Sequence, residues 1–341
     1  MNLSERKKRI LSAIVEEYIM TGEPVGSKFL ASKAGIEFSS ATIRNEMAEL
    51  AELGLIEQPH TSAGRVPTQL GYRLYVDRLM GSYRLTNEER GAFDGMLSLS
   101  SGDIESTLEK AGNMLADITG CAAVSTTPDD KAASIRRIEI VPAGARSLLL
   151  VILTTSGVIK SRLCRVDEDI SADMVVFFSR LVNDHFSGKK LDTITPQFLS
   201  LVKGELYEYT YALSPVLDTI VDELKSVSGE VFVGGAANLL THNEFDSDKI
   251  FQIMRFLEQR NELLRVIDGV GGGVQVRIGE ESGIPFMSNS ALIAAPYAFK
   301  GIICGAVGII GPSRINYAKM VSSLEYFSSM LSRLINENFG D

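Results

Sequence analysis

The chain has 341 residues, a length that favours two or three domains over one. Hydrophobic residues make up 45% of it and charged residues 23%, a composition that supports packed cores and excludes general disorder. No run approaches twenty uncharged apolar residues, and the charged N-terminus lacks the features of a signal peptide. We therefore expect a cytoplasmic protein without a membrane partner.

Cysteine and histidine usage indicates no disulfide framework, metal site or catalytic site. The cysteines are far apart, and an odd number without CxxC spacing favours small buried core residues. The histidines are equally scattered, so neither a ligand cluster nor a Ser/His/Asp or Cys/His set can be assembled. We therefore expect no enzyme, no cofactor and no metal. The residues concerned are Cys121, Cys164, Cys304, His60, His185 and His242.

Charge is distributed unevenly along the chain. The net charge is −9, but residues 1–80 hold ten basic and ten acidic residues, so the remainder carries the whole excess. Because DNA phosphates repel an acidic surface, any DNA contact must be local to the N-terminal segment. The distribution permits a DNA-binding module at one end and disfavours binding over the whole surface.

Apolar periodicity and capping residues predict three helices at the N-terminus. The first runs from Ser4, its N-cap, to Met20 and is stopped by a Gly- and Pro-containing turn. The second covers Ser27–Lys33, with Phe29 and Leu30 facing inward. The third begins at a cap offered by the pair Ser39-Ser40 and ends near Leu53, before a glycine.

The third helix has the pattern of a DNA-reading helix. Its buried stripe consists of Ile43, Met47 and Leu50. The opposite face carries Ala41, Arg44, Asn45 and Ala48. Arginine pairs with guanine O6 and N7 and asparagine with adenine N6 and N7, while small neighbours let a helix lie deep in the major groove. The hydroxyls of Ser39, Ser40 and Thr42 at its N-terminus are candidates for phosphate contacts.

After Gly54 the sequence changes to a strand pattern and predicts a hairpin. Leu55–Gln58 and Arg65–Thr68 are its short strands, joined by the polar turn Pro59–Gly64. A hairpin directly after a recognition-type helix is the wing of a winged helix-turn-helix. Its tip offers four side chains to the DNA backbone or minor groove: His60, Thr61, Ser62 and Arg65.

An ordinary three-helix module, with Arg44 and Asn45 only solvated, is the alternative. The hairpin and the low-relief polar face favour DNA binding over it. A further helix, about Gln69 to Met80, either packs on the base of the module or leads to the next domain.

Several motifs resemble the family of heat-inducible transcription repressors called HrcA. The resemblance is carried by Tyr18–Ser27, Ser39–Met47, Pro59–Thr68 and Gly71–Asp77, and it resumes at Gly234–Leu240 and Gly308–Arg314. It spans nearly the whole chain, with one departure at Ser290-Ala291, where a Cys-Ser or similar pair would be expected.

This resemblance implies a bacterial repressor of chaperone operons that binds an inverted-repeat operator, CIRCE, as a homodimer. It also implies the chaperonin as a partner, which keeps the repressor active until heat-damaged proteins draw the chaperonin away. For the fold, it implies a GAF-like domain after the winged helix.

In the rest of the chain, the sequence pattern predicts helices and strands typical of an α+β fold. Helical pattern covers about Ser82 to Gly120, and a closing helix covers Asn316–Ile335. The predicted strands are Ile135–Val141, Ser147–Thr154, Gly157–Val166, Gly273–Ile278, Ser290–Tyr297 and Ile302–Ile310. We expect a multidomain α+β protein: a winged helix-turn-helix over 1–81, a GAF-like α+β domain over 82–166 plus 265–341, and a mostly helical dimerisation insertion over 167–264.

Apolar rows in the expected insertion fit either a core or a dimer interface, since an inverted repeat requires a two-fold dimer. These rows are Val176, Phe177 and Leu181, and Ile253, Leu257 and Leu264.

Two glycine-rich stretches are candidates for nucleotide sites. Gly269–Gly273 fails the dinucleotide pattern, because Val274 replaces the required glycine and a strand pattern follows. Val231–Gly235 is a strand entering a tight turn. Two other functions remain open at this point: a metabolite-sensing regulator that uses the GAF-like pocket, and an enzyme that binds a nucleotide in the insertion.

Overall fold

The computed structural model describes residues 3–33, 37–60, 63–97, 104–127, 134–155, 159–167, 169, 171–205, 214–226, 230–267, 271–299 and 301–339. Apolar side chains form three buried clusters. No helix among these residues combines the length and apolar character needed to cross a membrane.

The N-terminal unit is a winged helix, as predicted. Its elements are α1 (Glu5–Thr21), α2 (Ser27–Ser32), α3 (Ser40–Glu52), β1 (Ile56–Glu57), β2 (Val66–Pro67) and α4 (Gln69–Leu74), which continues as a π-helical turn (Tyr75–Leu79). Ser4 caps α1 by accepting the N–H of Lys7, and Gly22 ends it in the left-handed conformation at φ 72°. Strands β1 and β2 pair antiparallel to form the wing.

One inward-facing residue of this unit was predicted wrongly. Phe29 is 48% exposed, whereas Leu30 is fully buried. Helix α2 has only six residues, and neighbouring positions on a helix differ by about 100°. Only one of the two side chains therefore lies at the centre of the buried stripe.

Helices α5 (Asn87–Leu97) and α6 (Ile104–Thr119) lead to a five-stranded antiparallel sheet. Its strands, in spatial order, are β7 (Val231–Gly234), β3 (Ala122–Thr126), β10 (Ile302–Pro312), β9 (Ser290–Phe299) and β8 (Gln275–Ile278). Helix α6 and the closing helix α12 (Tyr317–Phe339) pack on one face, and α10 (Ser247–Glu258) and α11 (Arg260–Ile267) pack on the other. Because helices cover both faces, the first six residues of β9 are all buried.

The other three strands form a sheet of their own. β4 (Ile135–Gly144), β5 (Ser147–Thr154) and β6 (Ile159–Arg165) pair antiparallel in that order. With α7 (Ala172–Phe186), α8 (Pro196–Glu205) and α9 (Ser214–Ser226) they enclose a separate core running from Ile135 to Leu224.

This arrangement confirms a multidomain α+β fold with an interrupted sheet domain but corrects the boundaries. Strands β4–β6 belong to the interrupting unit, which therefore covers about 134–226 and contains a three-stranded sheet as well as its helices. The segment 231–267 belongs to the five-stranded unit. The physical reason is that β7 and β10 already occupy both edges of β3, so the strands that follow β3 pair with one another.

The apolar rows of the expected insertion have different surroundings. Ile253 and Leu257 are buried core residues of the five-stranded unit. Val176 and Phe177 on α7 are 70% and 45% exposed.

The glycines at the end of β7 serve close packing. A Cβ on Gly234 would lie 2.7 Å from the backbone N of Asn113, and one on Gly235, at φ 61°, would lie 2.3 Å from the Cβ of Ala116. Asn238 then donates to the carbonyls of Ala116 and Cys121, both at 3.1 Å. The motif therefore fastens β7 to α6. Of Gly269–Gly273, residues 269 and 270 lie outside the described residues, and the rest leads directly into β8.

The winged helix packs on the five-stranded unit through α4. Gln69 Nε2 donates to the carbonyl of Ile278 at 2.7 Å, and Arg73 donates to the carbonyl of Val276 at 2.5 Å. Both carbonyls belong to the edge strand β8. One continuous apolar cluster also joins the two units. The helix after the wing thus packs on the base of the winged helix, where it contacts α1 and β2, and also leads to the next unit, where it contacts β8.

Candidate DNA-binding surface

Helix α3 presents its polar face to solvent. Ile43, Met47 and Leu50 are buried, as predicted. The residues predicted to read DNA are all exposed: Ala41, Arg44, Asn45 and Ala48. The buried stripe fixes the rotation of the helix, so Arg44 and Asn45 project together from a surface with little relief.

The hydroxyls at the start of α3 have local partners. Ser39 is the N-cap and accepts the N–H of Thr42 at 3.1 Å, and the two hydroxyl oxygens lie 2.9 Å apart. Ser40 Oγ lies 3.2 Å from Ser27 Oγ of α2. These bonds order the N-terminal turn and leave Ser39 and Thr42 beside its free backbone N–H groups.

The wing lies opposite Arg44 and Met47 of α3, across a cavity. His60 is exposed at the tip, while Thr61 and Ser62 fall outside the described residues. Arg65 is half-buried, and its backbone exchanges two hydrogen bonds of 2.9 Å with Val25. The wing is therefore anchored at its base to the segment between α1 and α2.

Two carboxylates of α3 are neutralised by cations of α1. The buried Glu46 pairs with Arg6 Nε at 2.6 Å and Lys7 Nζ at 3.0 Å, and Lys7 also pairs with Glu49 at 2.7 Å. The hydrogen bonds to Glu49 and then Glu46 raise the pKa of Lys7, and the bond from Lys7 lowers the pKa of Glu49. This pairing was not predicted from the sequence, although the basic run Arg6–Arg9 in the first turns of α1 was a signal for it. It neutralises the charges of Glu46 and Glu49.

Arg314 also helps to fix the orientation of the winged helix. Arg314, which precedes α12, donates to the carbonyl of Ile19 at 2.9 Å and pairs with Glu244. The end of α1 is thereby tied to the five-stranded unit. Among the described residues, no group of three or more His, Cys, Asp or Glu is placed to hold a metal ion.

Comparison with known proteins agrees with this geometry. Residues 2–78 match the family model "Winged helix-turn-helix transcription repressor, HrcA DNA-binding", and residues 105–321 match "HrcA protein C terminal domain". The chain belongs to the HrcA family of heat-inducible transcription repressors. The HrcA winged-helix domain is its DNA-binding part, so the resemblance noted in the sequence is confirmed.

Relatives match this HrcA-family chain over its full length. A heat-inducible transcription repressor HrcA from Moorella thermoacetica is 36% identical over 341 residues, covering 99% of both chains. Another, from Acetivibrio thermocellus, is 33% identical and covers 100% of this chain and 98% of that protein. A crystal structure of a protein described as hypothetical, at 2.2 Å resolution, has a TM-score of 0.67 and 27% identity, with 98% of this chain and 99% of that chain covered.

Proposed function

We propose that the protein represses chaperone operons in the bacterial cytoplasm by binding an inverted-repeat operator of the CIRCE type. The observation that carries the proposal is the exposed face of α3, where Arg44 and Asn45 stand side by side between alanines. An arginine and an asparagine at adjacent positions read guanine and adenine edges in the major groove. The other proposed contacts are to phosphate or the minor groove: Ser39, Ser40, Thr42, His60, Thr61, Ser62 and Arg65.

A homodimer matches the two-fold symmetry of an inverted repeat. The exposed apolar side chains of α7 support this assembly: Met174, Val176 and Phe177 are 42%, 70% and 45% exposed. Analytical ultracentrifugation of Val176→Ser tests it, with Asp184→Ala, at an exposed position eight residues further along α7, as control. The Ser variant should shift towards monomer, and an unchanged dimer would place the interface elsewhere.

Operator binding is tested by fluorescence anisotropy on an inverted-repeat duplex and a scrambled duplex of equal length. Asn45→Ala should weaken operator binding by on the order of 1–3 kcal/mol and leave binding to the scrambled duplex unchanged. Exposed Arg84, which lies outside the winged helix, supplies the control Arg84→Ala. Equal wild-type affinity for both duplexes would refute the proposal.

The chaperonin is proposed as the modulating partner, on the basis of family membership. Adding purified chaperonin to the anisotropy assay should raise the fraction of protein competent to bind the operator, and adding an unfolded substrate protein should reverse the gain. An operator affinity that stays the same when chaperonin is added would refute this part of the proposal.

A further inference from the structure

A cavity of about 520 Å³ opens between the start of α2, helix α3 and the base of the wing. Its polar lining includes Ser27, Lys28, Arg44 and Arg65. Three of the lining side chains are cations and none is a carboxylate. On a chain whose net charge is −9, a cavity with only positive charges is an exception that calls for a physical reason.

The cations of this cavity differ from those on the other side of α3. Arg6 and Lys7 are neutralised by Glu46 and Glu49. Lys28 and Arg44 are exposed, and neither forms an ion pair with another described residue. Of these cations, all among the described residues, those of the cavity are left uncompensated, and their charge attracts an anion.

Arg65 contributes a second, independent observation. Its Nε is buried and donates to no acceptor in the described part of the chain. Its backbone is fixed by the two bonds to Val25, and a Cβ on the preceding Gly64 would lie 2.5 Å from the carbonyl carbon and oxygen of Val25. The side chain of Arg65 is thus held in the cavity wall, and its unmet Nε donor costs free energy.

We propose that this cavity binds a phosphodiester group of the DNA backbone, with Lys28 and Arg65 as its cationic contacts. The proposal rests on the proposed function, because Arg44 belongs both to the reading face and to the cavity wall. A duplex whose major groove holds α3 therefore passes its backbone over the mouth of the cavity. The anion is identified as phosphate because charge-assisted bonds from lysine and arginine are the usual protein contacts to it.

The test compares full-length protein and Lys28→Gln on operator and scrambled duplexes between about 50 and about 200 mM NaCl. Because a phosphate contact carries no sequence information, Lys28→Gln should weaken binding to both duplexes by the same factor, roughly threefold or more. The slope of log K against log salt should become shallower by about 0.9, the change expected when one phosphate is no longer neutralised by the protein.

Two further variants and a control keep the result interpretable. Lys28→Arg retains the charge and should restore near wild-type affinity and slope. Lys110→Gln removes an exposed cation from α6, outside the winged helix, and should change neither. Arg65→Lys keeps the charge at the cavity wall but replaces the planar guanidinium by an ammonium group. It should weaken binding to both duplexes to a smaller extent than Lys28→Gln.

Three results would overturn the proposal. One is a Lys28→Gln protein with unchanged affinities and slopes. Another is a weakening confined to the operator, which would make Lys28 a base contact. The third is Lys28-dependent thermal stabilisation by inorganic phosphate together with unchanged DNA binding, which would make this a site for free anions. Failure of operator recognition itself gives a different result, namely equal wild-type affinity for the two duplexes.

Discussion

Arg73 in α4 forms an ion pair with Glu281, 208 positions further along the chain, with Nε donating to Oε1 at 2.9 Å. The side chains are only 25% and 31% exposed. The same guanidinium donates to the carbonyl of Val276, and Glu281 accepts the N–H of Ile278 at 2.9 Å. This contact therefore joins the winged helix to the edge strand of the five-stranded sheet.

Replacing Arg73 should loosen that junction. Burial alone would raise the pKa of Glu281, but the bonds from Arg73 and the N–H of Ile278 lower it. Removal of Arg73 therefore leaves a partly buried carboxylate without its cation and the carbonyl of Val276 without its side-chain donor. Arg73→Ala should cost about 1.5–3 kcal/mol in urea denaturation, against little change for exposed Arg84→Ala. Equal midpoints for the two variants would show that the apolar cluster alone holds the units together.

Local signals explain why the winged helix was predictable from sequence. Ser4 and Ser39 act as caps at the helix starts where the sequence placed them, and the apolar stripe of α3 is the buried one. Each of these features depends on residues within one or two turns. The exposed polar face of α3 follows from the same periodicity, because burial of one stripe determines which residues on the opposite side face solvent.

The boundaries of the interrupting unit depend on non-local pairing and were not predictable in this way. Strand β3 consists of Ala122–Thr126, small buried residues without strand-like alternation. Its pairing of Val124 with Val233 joins residues far apart in sequence. Without knowledge of this pairing, β4–β6 are assigned to the main sheet. The cavity at the wing was missed for the same reason, because Lys28 and Arg65 meet only in the folded unit.

Acid should weaken the attachment of α5 to α12. Glu89 and Thr86 form a reciprocal cap at the start of α5, in which the Thr86 N–H donates to Glu89 Oε2 at 2.9 Å and the Glu89 N–H donates to Thr86 Oγ1 at 3.1 Å. Lys319 of α12 pairs with Glu89 Oε1 at 2.7 Å. The bond from Lys319, followed by that from Thr86, lowers the pKa of Glu89 from 4.5 to about 2.

Because the folded state depresses this pKa, the contribution of Glu89 is present above pH 4.5 and is lost as pH falls towards 2. Glu89→Gln should therefore be less stable than wild type at pH 7, and the gap should close across that window. Urea midpoints at a series of pH values measure it. A gap that persists at the acid end would show that Glu89 acts through shape and not through charge.

Substitution of Gly235 should be severe. It lies at φ 61°, and an added Cβ would come within 2.3 Å of the Ala116 Cβ. Gly235→Ala should cost on the order of 2–5 kcal/mol from left-handed strain and overpacking. Gly81→Ala is the matched control, since nothing lies within 4 Å of its added Cβ. Thermal melts of the two variants decide the point, and a similar small shift in both would contradict the tight packing of β7 on α6.

Asn183 protects the outer edge of β4. Its Oδ1 accepts the N–H of Ile138 at 2.9 Å, and its Nδ2 donates to the carbonyl of Ile138 at 2.6 Å. β4 is an edge strand of the three-stranded sheet, and unpaired backbone groups on such an edge invite pairing with another chain.

Asn183→Ala should therefore cost about 1–3 kcal/mol and increase concentration-dependent association. Asn183→Asp keeps the acceptor and loses the donor, so it should fall between wild type and the alanine variant. Exposed Asp184→Ala, one position along α7, should behave as wild type. Light scattering over a concentration series, with urea denaturation in parallel, reports both effects. If Asn183→Ala is destabilised but does not associate, the side chain stabilises β4, and other features prevent its edge from pairing with another chain.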